Sequence, residues 1–156
     1  MQVNLSDLKK LRDETAAGVA DCRQALEDAV GDYEKGKKLL IERGLEKAAK
    51  KDGNETTQGI VESYVHAGKI GVLVELRCET DFVARTDEFK TLAHEISLKV
   101  ASMDPKNVDE LVQTAYIRDA SLTIAELIKQ AVAKVGENIT IAQFTRISLG
   151  GTVVSK

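Results

Sequence analysis

The sequence has no tryptophan, one proline, two cysteines and two histidines among its 156 residues. Neither the pair Cys22 and Cys78 nor the pair His66 and His94 has the close spacing of ligands in a structural zinc site. We therefore predict that the protein binds no metal. We also predict that both cysteines are reduced thiols in the core, because each lies in an apolar segment.

Long apolar segments are also missing. No apolar run approaches the roughly 18 residues of a membrane-spanning helix, and the N-terminus lacks a signal-peptide pattern. The formal net charge is −3, and the first 52 residues hold eleven basic and eleven acidic side chains. Neither part of the chain therefore carries the basic excess of a typical nucleic-acid-binding domain. We predict a cytoplasmic protein that binds neither a membrane nor nucleic acid directly.

Catalytic patterns are absent as well. The sequence contains no glycine-rich phosphate loop, and no order of cysteine, serine and histidine indicates an activated nucleophile. We predict that the protein is not an enzyme, needs no cofactor and acts through its surfaces. Two alternatives stay open: an adaptor whose N-terminal module binds peptides or ubiquitin-like folds, and a small hydrolase or lyase that uses Asp81 with His66 or His94.

The first part of the chain, residues 1–52, is predicted to be a module of three short helices with a basic arm. In two segments apolar residues recur at three- and four-residue steps, which places them on one helix face. Tyr33, Leu39 and Leu40 supply the third helix. Helices this short must pack on one another to be stable. Gly44 stands where a helix C-terminus favours a left-handed residue, so we predict that the third helix ends there. A helical, lysine-rich arm follows it and runs into a linker.

The second part, residues 53–150, is predicted to be an α+β domain, with a tail at 151–156. Two β-rich runs, Ile60–His66 and Ile70–Leu76, are separated by a short glycine-containing loop and predict a β-hairpin. The second run is almost continuously apolar, which is typical of a strand covered on both faces.

Helical patterns then alternate with weaker ones. An apolar stripe predicts a helix over Phe89–Val100, whereas residues 106–120 are charged and weakly patterned. Thr123 and Glu126 have the spacing of a capping box at the start of another helix. Alternation over Ile139–Leu149 predicts a final strand that joins the hairpin. The economical assembly is an antiparallel three-stranded sheet with helices on one face.

The segment Glu79–Arg85, which reads ETDFVAR, links the second strand to the next helix. Such turns are usually polar and contain glycine, asparagine or aspartate. Here a phenylalanine follows a carboxylate instead. Two interpretations are open at this point. Either Asp81 caps the following helix and Phe82 folds into the core, or Phe82 is a wedge that projects toward a partner.

Three segments resemble the signatures of one family. They are ETDFVAR with the preceding Val74–Cys78, the segment Leu11–Leu26, and the segment Lys134–Ile139. Together they resemble the bacterial and organellar translation elongation factor Ts family. Its members have an N-terminal three-helix module similar to ubiquitin-associated domains, followed by an α+β core. That organisation agrees with the fold predicted from the residues.

The resemblance implies that the chain promotes GDP release from elongation factor Tu, the GTPase that carries aminoacyl-tRNA, and stays bound until GTP binds. It implies that Thr80, Asp81, Phe82 and Val83 reach the magnesium and phosphate site of that GTPase. Magnesium keeps several waters in a near-octahedral shell. A carboxylate close by would disturb those waters, and a phenyl ring would displace the elements that hold them. Exchange then follows from coupled binding without a covalent step.

In the N-terminal module, the resemblance implies that Leu11, Arg12, Val19, Ala20 and Arg23 face a helix of the GTPase. The family usually has methionines at the positions of Val19 and Ala20. Because methionine adapts well to interfaces, the shorter side chains predict a smaller contact. The alternative is that Val19 and Ala20 serve the core packing of the second helix, to which they belong.

The chain is short for this family. Longer members duplicate the core subdomain and add a helical hairpin, whereas short members dimerise. We therefore predict a homodimer through the sheet edge near Ile139–Leu149, because an exposed apolar edge strand favours pairing.

Overall fold

The computed structural model describes residues 2–151. The chain divides into two compact units, with the division between Lys50 and Lys51, two residues before the predicted boundary. The tail predicted at 151–156 lies outside the described residues except for Gly151. No helix in the described range combines the length and the apolar character needed to cross a membrane.

The first unit contains three helices, α1 (Leu5–Thr15), α2 (Val19–Asp28) and α3 (Tyr33–Ala49). The side chains of Asn4 and Asp32 accept backbone N–H bonds at the starts of α1 and α3, which satisfies donors that have no partner inside the helix. One face of each helix is buried, as the spacing of apolar residues predicts. The core cluster consists of Leu8, Leu11, Cys22, Ala25, Leu26 and Leu40.

The third helix is longer than predicted. It continues through Gly44 to Ala49, so the predicted helix end at Gly44 is wrong. Burial of Ala48 and contacts with α2 accompany the extension. Arg43 forms an ion pair with Asp28 at 2.5 Å, and the Lys47 ammonium bonds Asp21 at 3.1 Å. Tertiary contacts of this kind routinely override the weak local preference of a single glycine.

The second unit holds an antiparallel sheet of three strands, β1 (Gln58–His66), β2 (Ile70–Cys78) and β3 (Ile139–Ser148), in the order β1-β2-β3. The predicted hairpin and the addition of the final strand are confirmed, and so is the α+β fold. The helices described in this unit are α4 (Asp81–Ala84), α5 (Asp87–Met103), α6 (Val108–Gln113) and α7 (Ile124–Val135). Helix α5 packs against β1 and β2, while α6 and α7 contact β3.

Strand β2 is covered on one face only, so the predicted coverage of both faces is wrong. Its even-numbered residues from Val72 to Cys78 are buried, whereas Leu73 is 51% exposed on the opposite face. The register pairs Leu73 with Ser63 and Thr145, so their side chains share that face. We call it the open face. Its exposed large apolar side chains are Val61, Val65, Leu73 and Ile147.

Gly59 lies on β1, where the backbone of β2 leaves no room for a side chain. A Cβ at this position would stand 2.1 Å from the carbonyl oxygen of Leu76 and 2.8 Å from the Cα of Arg77. We expect Gly59→Ala to lower the free energy of unfolding by roughly 1–3 kcal/mol, as overpacking does. Gly71→Ala is the matched control, because a Cβ there meets nothing within 4 Å. Equal urea midpoints for the two variants would contradict this prediction.

Candidate partner-binding site

The ETDFVAR turn folds into the short helix α4, and Thr80 caps it. The Thr80 backbone is extended, with φ −122° and ψ 154°, and its Oγ1 accepts the N–H of Val83 at 3.4 Å. Helix α5 has its own cap in Thr86, whose Oγ1 accepts the N–H of Phe89. Asp81 therefore caps neither helix, and its carboxylate is left on the surface.

Phe82 projects outward. It is 78% exposed, whereas the other two phenylalanines, Phe89 and Phe144, are each 1% exposed. An aromatic side chain of this size normally contributes to a core or an interface. The interpretation that Phe82 folds into the core is therefore excluded, and an exposed apolar ring is available to a partner.

Asp81 beside it is also accessible. Its Oδ2 accepts a bond from the Arg85 guanidinium at 2.8 Å, and both side chains are largely exposed. Exposed pairs of this i,i+4 kind contribute only about 0.3–0.5 kcal/mol. The carboxylate can therefore exchange Arg85 for another cation at little cost in stability.

The residues after Phe82 anchor the turn. Val83 and Ala84 are buried, so Val83 offers its side chain to the core rather than to a partner. Cys78 lies just before the turn, and its Sγ donates to the Thr80 carbonyl oxygen at 3.1 Å. Burial raises the pKa of the Cys78 thiol, which disfavours the reactive thiolate. Asp81 and Phe82 are thus exposed in a segment that is bounded by the buried Cys78 and the buried Val83.

A set of polar contacts joins the turn to the segment between α7 and β3. The Glu137 carboxylate accepts both the N–H and the hydroxyl of Thr80, at 2.9 and 2.7 Å. The Glu79 carboxylate accepts the N–H of Asn138 at 2.7 Å and the Asn54 amide at 3.0 Å, and these bonds lower the pKa of Glu79. Sequence reasoning assigned no role to Glu137, because a contact across 57 positions leaves no local pattern.

The contacts of the two histidines do not include Asp81, with which the alternative catalytic site would combine them. His66 Nδ1 lies 2.9 Å from the Tyr64 hydroxyl, and His94 Nδ1 lies 3.3 Å from Glu62. Both histidines therefore lie on β1 or against it, and neither bonds Asp81. Among residues 2–151, no group of three potential ligands is placed to hold a metal ion.

The residues proposed for the first unit are mostly exposed. Arg12, Val19, Ala20 and Arg23 are accessible, which excludes core packing as the role of Val19 and Ala20. Val19 and Arg23 are one turn apart in α2 and so share a helix face. Leu11 is fully buried in the core cluster, so it presents no side-chain surface to a partner.

Comparison with known proteins gives consistent matches. The family described as "Elongation factor TS" matches residues 79–156, beginning at the first residue of the ETDFVAR segment. The chain is similar to "Elongation factor Ts" of Coprothermobacter proteolyticus, with 40% identity over 96% of this chain and 100% of that protein. It is 39% identical to "Elongation factor Ts" of Leptospira biflexa, over 97% of this chain and 100% of the relative. The chloroplastic "Elongation factor Ts" of Guillardia theta is 37% identical, over 96% of this chain and 90% of the relative.

These alignments are longer than the chain itself. They run over 196 or 197 positions, whereas the chain has 156 residues. The relatives therefore contain residues that have no counterpart here.

Proposed function

The chain belongs to the elongation factor Ts family of translation elongation factors, and we propose that it is a guanine-nucleotide exchange factor for elongation factor Tu. The observation that carries this proposal is the exposed Phe82 beside an accessible Asp81, on a turn anchored by buried residues on either side. This arrangement supports insertion into a partner. It gives no support to a catalytic site of the chain's own.

The mechanism proceeds through the partner's magnesium site. Mg²⁺ tolerates little departure from octahedral coordination and retains several waters. Asp81 brings a carboxylate close to those waters, which disturbs their arrangement. The Phe82 ring enters between side chains of the GTPase and holds open the elements that bind the phosphates. Burial of a phenylalanine side chain supplies about 1.5–3 kcal/mol for this conformation.

Release and rebinding follow from linkage. Each 1.4 kcal/mol of coupling weakens nucleotide binding about tenfold. Bound nucleotide weakens the binding of the exchange factor to the GTPase by the same ratio. The factor therefore stays bound to the empty GTPase until GTP binds. No bond is made or broken in the chain, which accordingly acts as an exchange factor rather than as an enzyme. No cofactor takes part.

A second contact lies in the first unit. Arg12, Val19, Ala20 and Arg23 form its exposed surface toward a helix of the GTPase, and Leu11 supports them from the core. Val83 has the corresponding supporting role next to Phe82 in the chain, while Thr80 fixes the backbone. The likeness of the three-helix module to ubiquitin-associated domains stays part of this proposal. So do a cytoplasmic location and the lack of direct contact with nucleic acid or membrane.

Stopped-flow release of fluorescent GDP from elongation factor Tu tests the proposed function. We expect the rate to rise with the concentration of the chain and then to saturate. An adaptor would bind without accelerating release, and that outcome would refute the proposal. A hydrolase or lyase that uses histidine is tested by replacing His66 and His94 together with alanine, which should leave the exchange rate nearly unchanged.

We further propose that the chain is a homodimer, with the second copy seated on the open face and the adjoining edge of β3. The large apolar side chains of this face lie on the same side of three neighbouring strands. Leu73 is a diagonal neighbour of Val65 and Ile147, which both pair with Gly71. Leu149 extends the patch beyond the end of β3, where it is exposed. Exposed apolar patches of this kind mark interaction surfaces.

Leu73→Glu is expected to convert the dimer to a monomer, because it places a charge at the centre of the open face. Leu5→Glu is the matched control, since Leu5 is also exposed but lies on α1. Size-exclusion chromatography with light scattering should give twice the 17.0 kDa chain mass for the wild type and the control. A monomeric wild type, or a dimeric Leu73→Glu variant, would show that the open face is not the interface.

A further inference from the structure

Two short segments that are far apart in sequence exchange equivalent hydrogen bonds. The Glu79 carboxylate accepts the backbone N–H of Asn138 at 2.7 Å, and the Glu137 carboxylate accepts the backbone N–H of Thr80 at 2.9 Å. Each glutamate thus binds the residue that follows the other glutamate. The register of β2 and β3 makes this possible, because Cys78 pairs with Ile139 immediately beside the two segments.

Further hydrogen bonds through Asn138 support this reciprocal pair of bonds. Asn138 is 8% exposed, and its amide donates to the Asn54 carbonyl oxygen at 2.9 Å. The Asn54 amide donates in turn to Glu79. Gly136 ends α7 in the left-handed conformation, with φ 75°, and so turns the chain toward Thr80 just before Glu137. The backbone on either side of Glu137 is therefore held.

Thr80 is held through every polar group that it has. Its N–H and hydroxyl both donate to Glu137, while Oγ1 also accepts the Val83 N–H. Its carbonyl oxygen accepts from Cys78 and from the N–H of Ala84. Because Thr80 is the N-cap of α4, its backbone angles set the direction in which the helix starts. Phe82 lies two residues further on.

We propose that Glu137 is a positioning residue that holds Phe82 in its projecting orientation before the partner arrives. This inference rests on the proposed exchange function. Because the turn is already ordered in the free chain, binding to the partner does not have to supply the free energy of ordering it. The affinity for the partner is therefore higher. Hydrogen bonds to a charged acceptor are stronger than neutral ones, so two of them on one residue restrict the turn effectively.

Glu137→Ala should slow GDP release roughly tenfold, the ratio that corresponds to loss of a charged hydrogen bond. Glu137→Gln should recover part of the rate, since its amide oxygen still accepts the Thr80 N–H. Glu55→Ala is the control, because Glu55 is an exposed residue outside this set of contacts. Thermal melts identify any variant that fails to fold. If Glu137→Ala is unfolded, the release rate of Glu137→Gln supplies the test.

A double-mutant cycle with Phe82→Ala separates positioning from general stability. If Glu137 acts through Phe82, Glu137→Ala should slow release no further when Phe82 is already alanine. Additive effects would overturn the inference, and so would full activity of Glu137→Ala. If Phe82→Ala alone leaves the rate unchanged, the proposed function fails instead.

Amide hydrogen exchange of the free protein gives a readout that does not involve the partner. The N–H groups of Thr80 and Val83 should exchange faster in Glu137→Ala than in the wild type, while those of α7 should keep their protection. Unchanged exchange at Thr80 would show that Glu137 does not order the turn.

Discussion

Replacing Phe82 with alanine is expected to slow GDP release from elongation factor Tu by roughly ten- to a hundredfold. The range follows from the 1.5–3 kcal/mol that burial of a phenylalanine side chain provides, at 1.4 kcal/mol for each factor of ten. Because Phe82 is 78% exposed in the free chain, that energy is available only when a partner covers the ring. Stopped-flow fluorescence with labelled GDP measures the rate directly.

The same substitution should leave the fold intact. Surface substitutions usually change the free energy of unfolding by less than about 0.5 kcal/mol, and Phe82 has few contacts to lose. The urea midpoint of Phe82→Ala should therefore match the wild type. A variant that releases GDP at the wild-type rate would show that the ring is not the wedge. A variant that is unfolded would show that the ring supports the core.

Replacing Phe89 with alanine is expected to have the opposite result. Phe89 lies seven positions further along the chain and is 1% exposed on α5, the helix that packs against β1 and β2. Truncation of a buried phenylalanine typically lowers the free energy of unfolding by about 3–5 kcal/mol. Chemical denaturation monitored by circular dichroism should show this loss for the second unit.

Each phenylalanine variant is the matched control for the other, because both substitutions remove a phenyl ring, one from the surface and one from the core. Under conditions where Phe89→Ala remains folded, we expect it to retain most of its exchange activity. An unchanged denaturation midpoint for Phe89→Ala would contradict the assignment of Phe89 to the core. A loss of exchange without any loss of stability would assign Phe89 to the partner surface instead.

Local sequence patterns predicted the elements that depend on near neighbours. The loop between β1 and β2 predicted the hairpin, and the alternation in β3 predicted the third strand. The capping box of Thr123 and Glu126 is present, with both of its reciprocal bonds, and α7 ends at Gly136. In each case a few adjacent residues determine the structure, so the sequence alone is informative.

Predictions that depended on distant contacts were less successful. Gly44 has the local character of a helix end, yet α3 continues to Ala49. Ala48 is buried in this extension, and Lys47 pairs with Asp21 of α2. The apolar run of β2 resembles that of a fully covered strand, but Leu73 faces outward. A continuous apolar run does not reveal which face lacks a covering layer, because that depends on where the helices pack.

The candidate site was also predictable only as far as it depends on residues close together in the sequence. Spacing alone left two interpretations of Asp81 and Phe82 open, since either could be part of a cap and core or of an exposed wedge. The position of Thr80 as the cap of α4 decides where these side chains lie. Thr80 itself is held by a hydrogen bond from its N–H to the carboxylate of Glu137, 57 residues away. No local motif contains that information.

In the first unit, the burial of side chains reduces the set of residues that could contact the partner. Leu11 belongs to the core, whereas Val19, Ala20 and Arg23 remain accessible on α2. Val19 and Ala20 are shorter than methionine, so we expect the proposed contact there to be small. Most of the coupling energy is therefore expected from the turn that carries Phe82.

The affinity of the chain for the two states of elongation factor Tu is the most direct test of the central claim. Titration calorimetry should be carried out with the nucleotide-free and the GDP-loaded GTPase under the same conditions. Linkage requires that the factor discriminate between these states by the ratio by which it weakens GDP binding. We predict at least about tenfold tighter binding to the nucleotide-free form, which corresponds to roughly 1.4 kcal/mol of coupling. Equal affinities would mean that the chain does not favour the nucleotide-free state, and they would contradict the account.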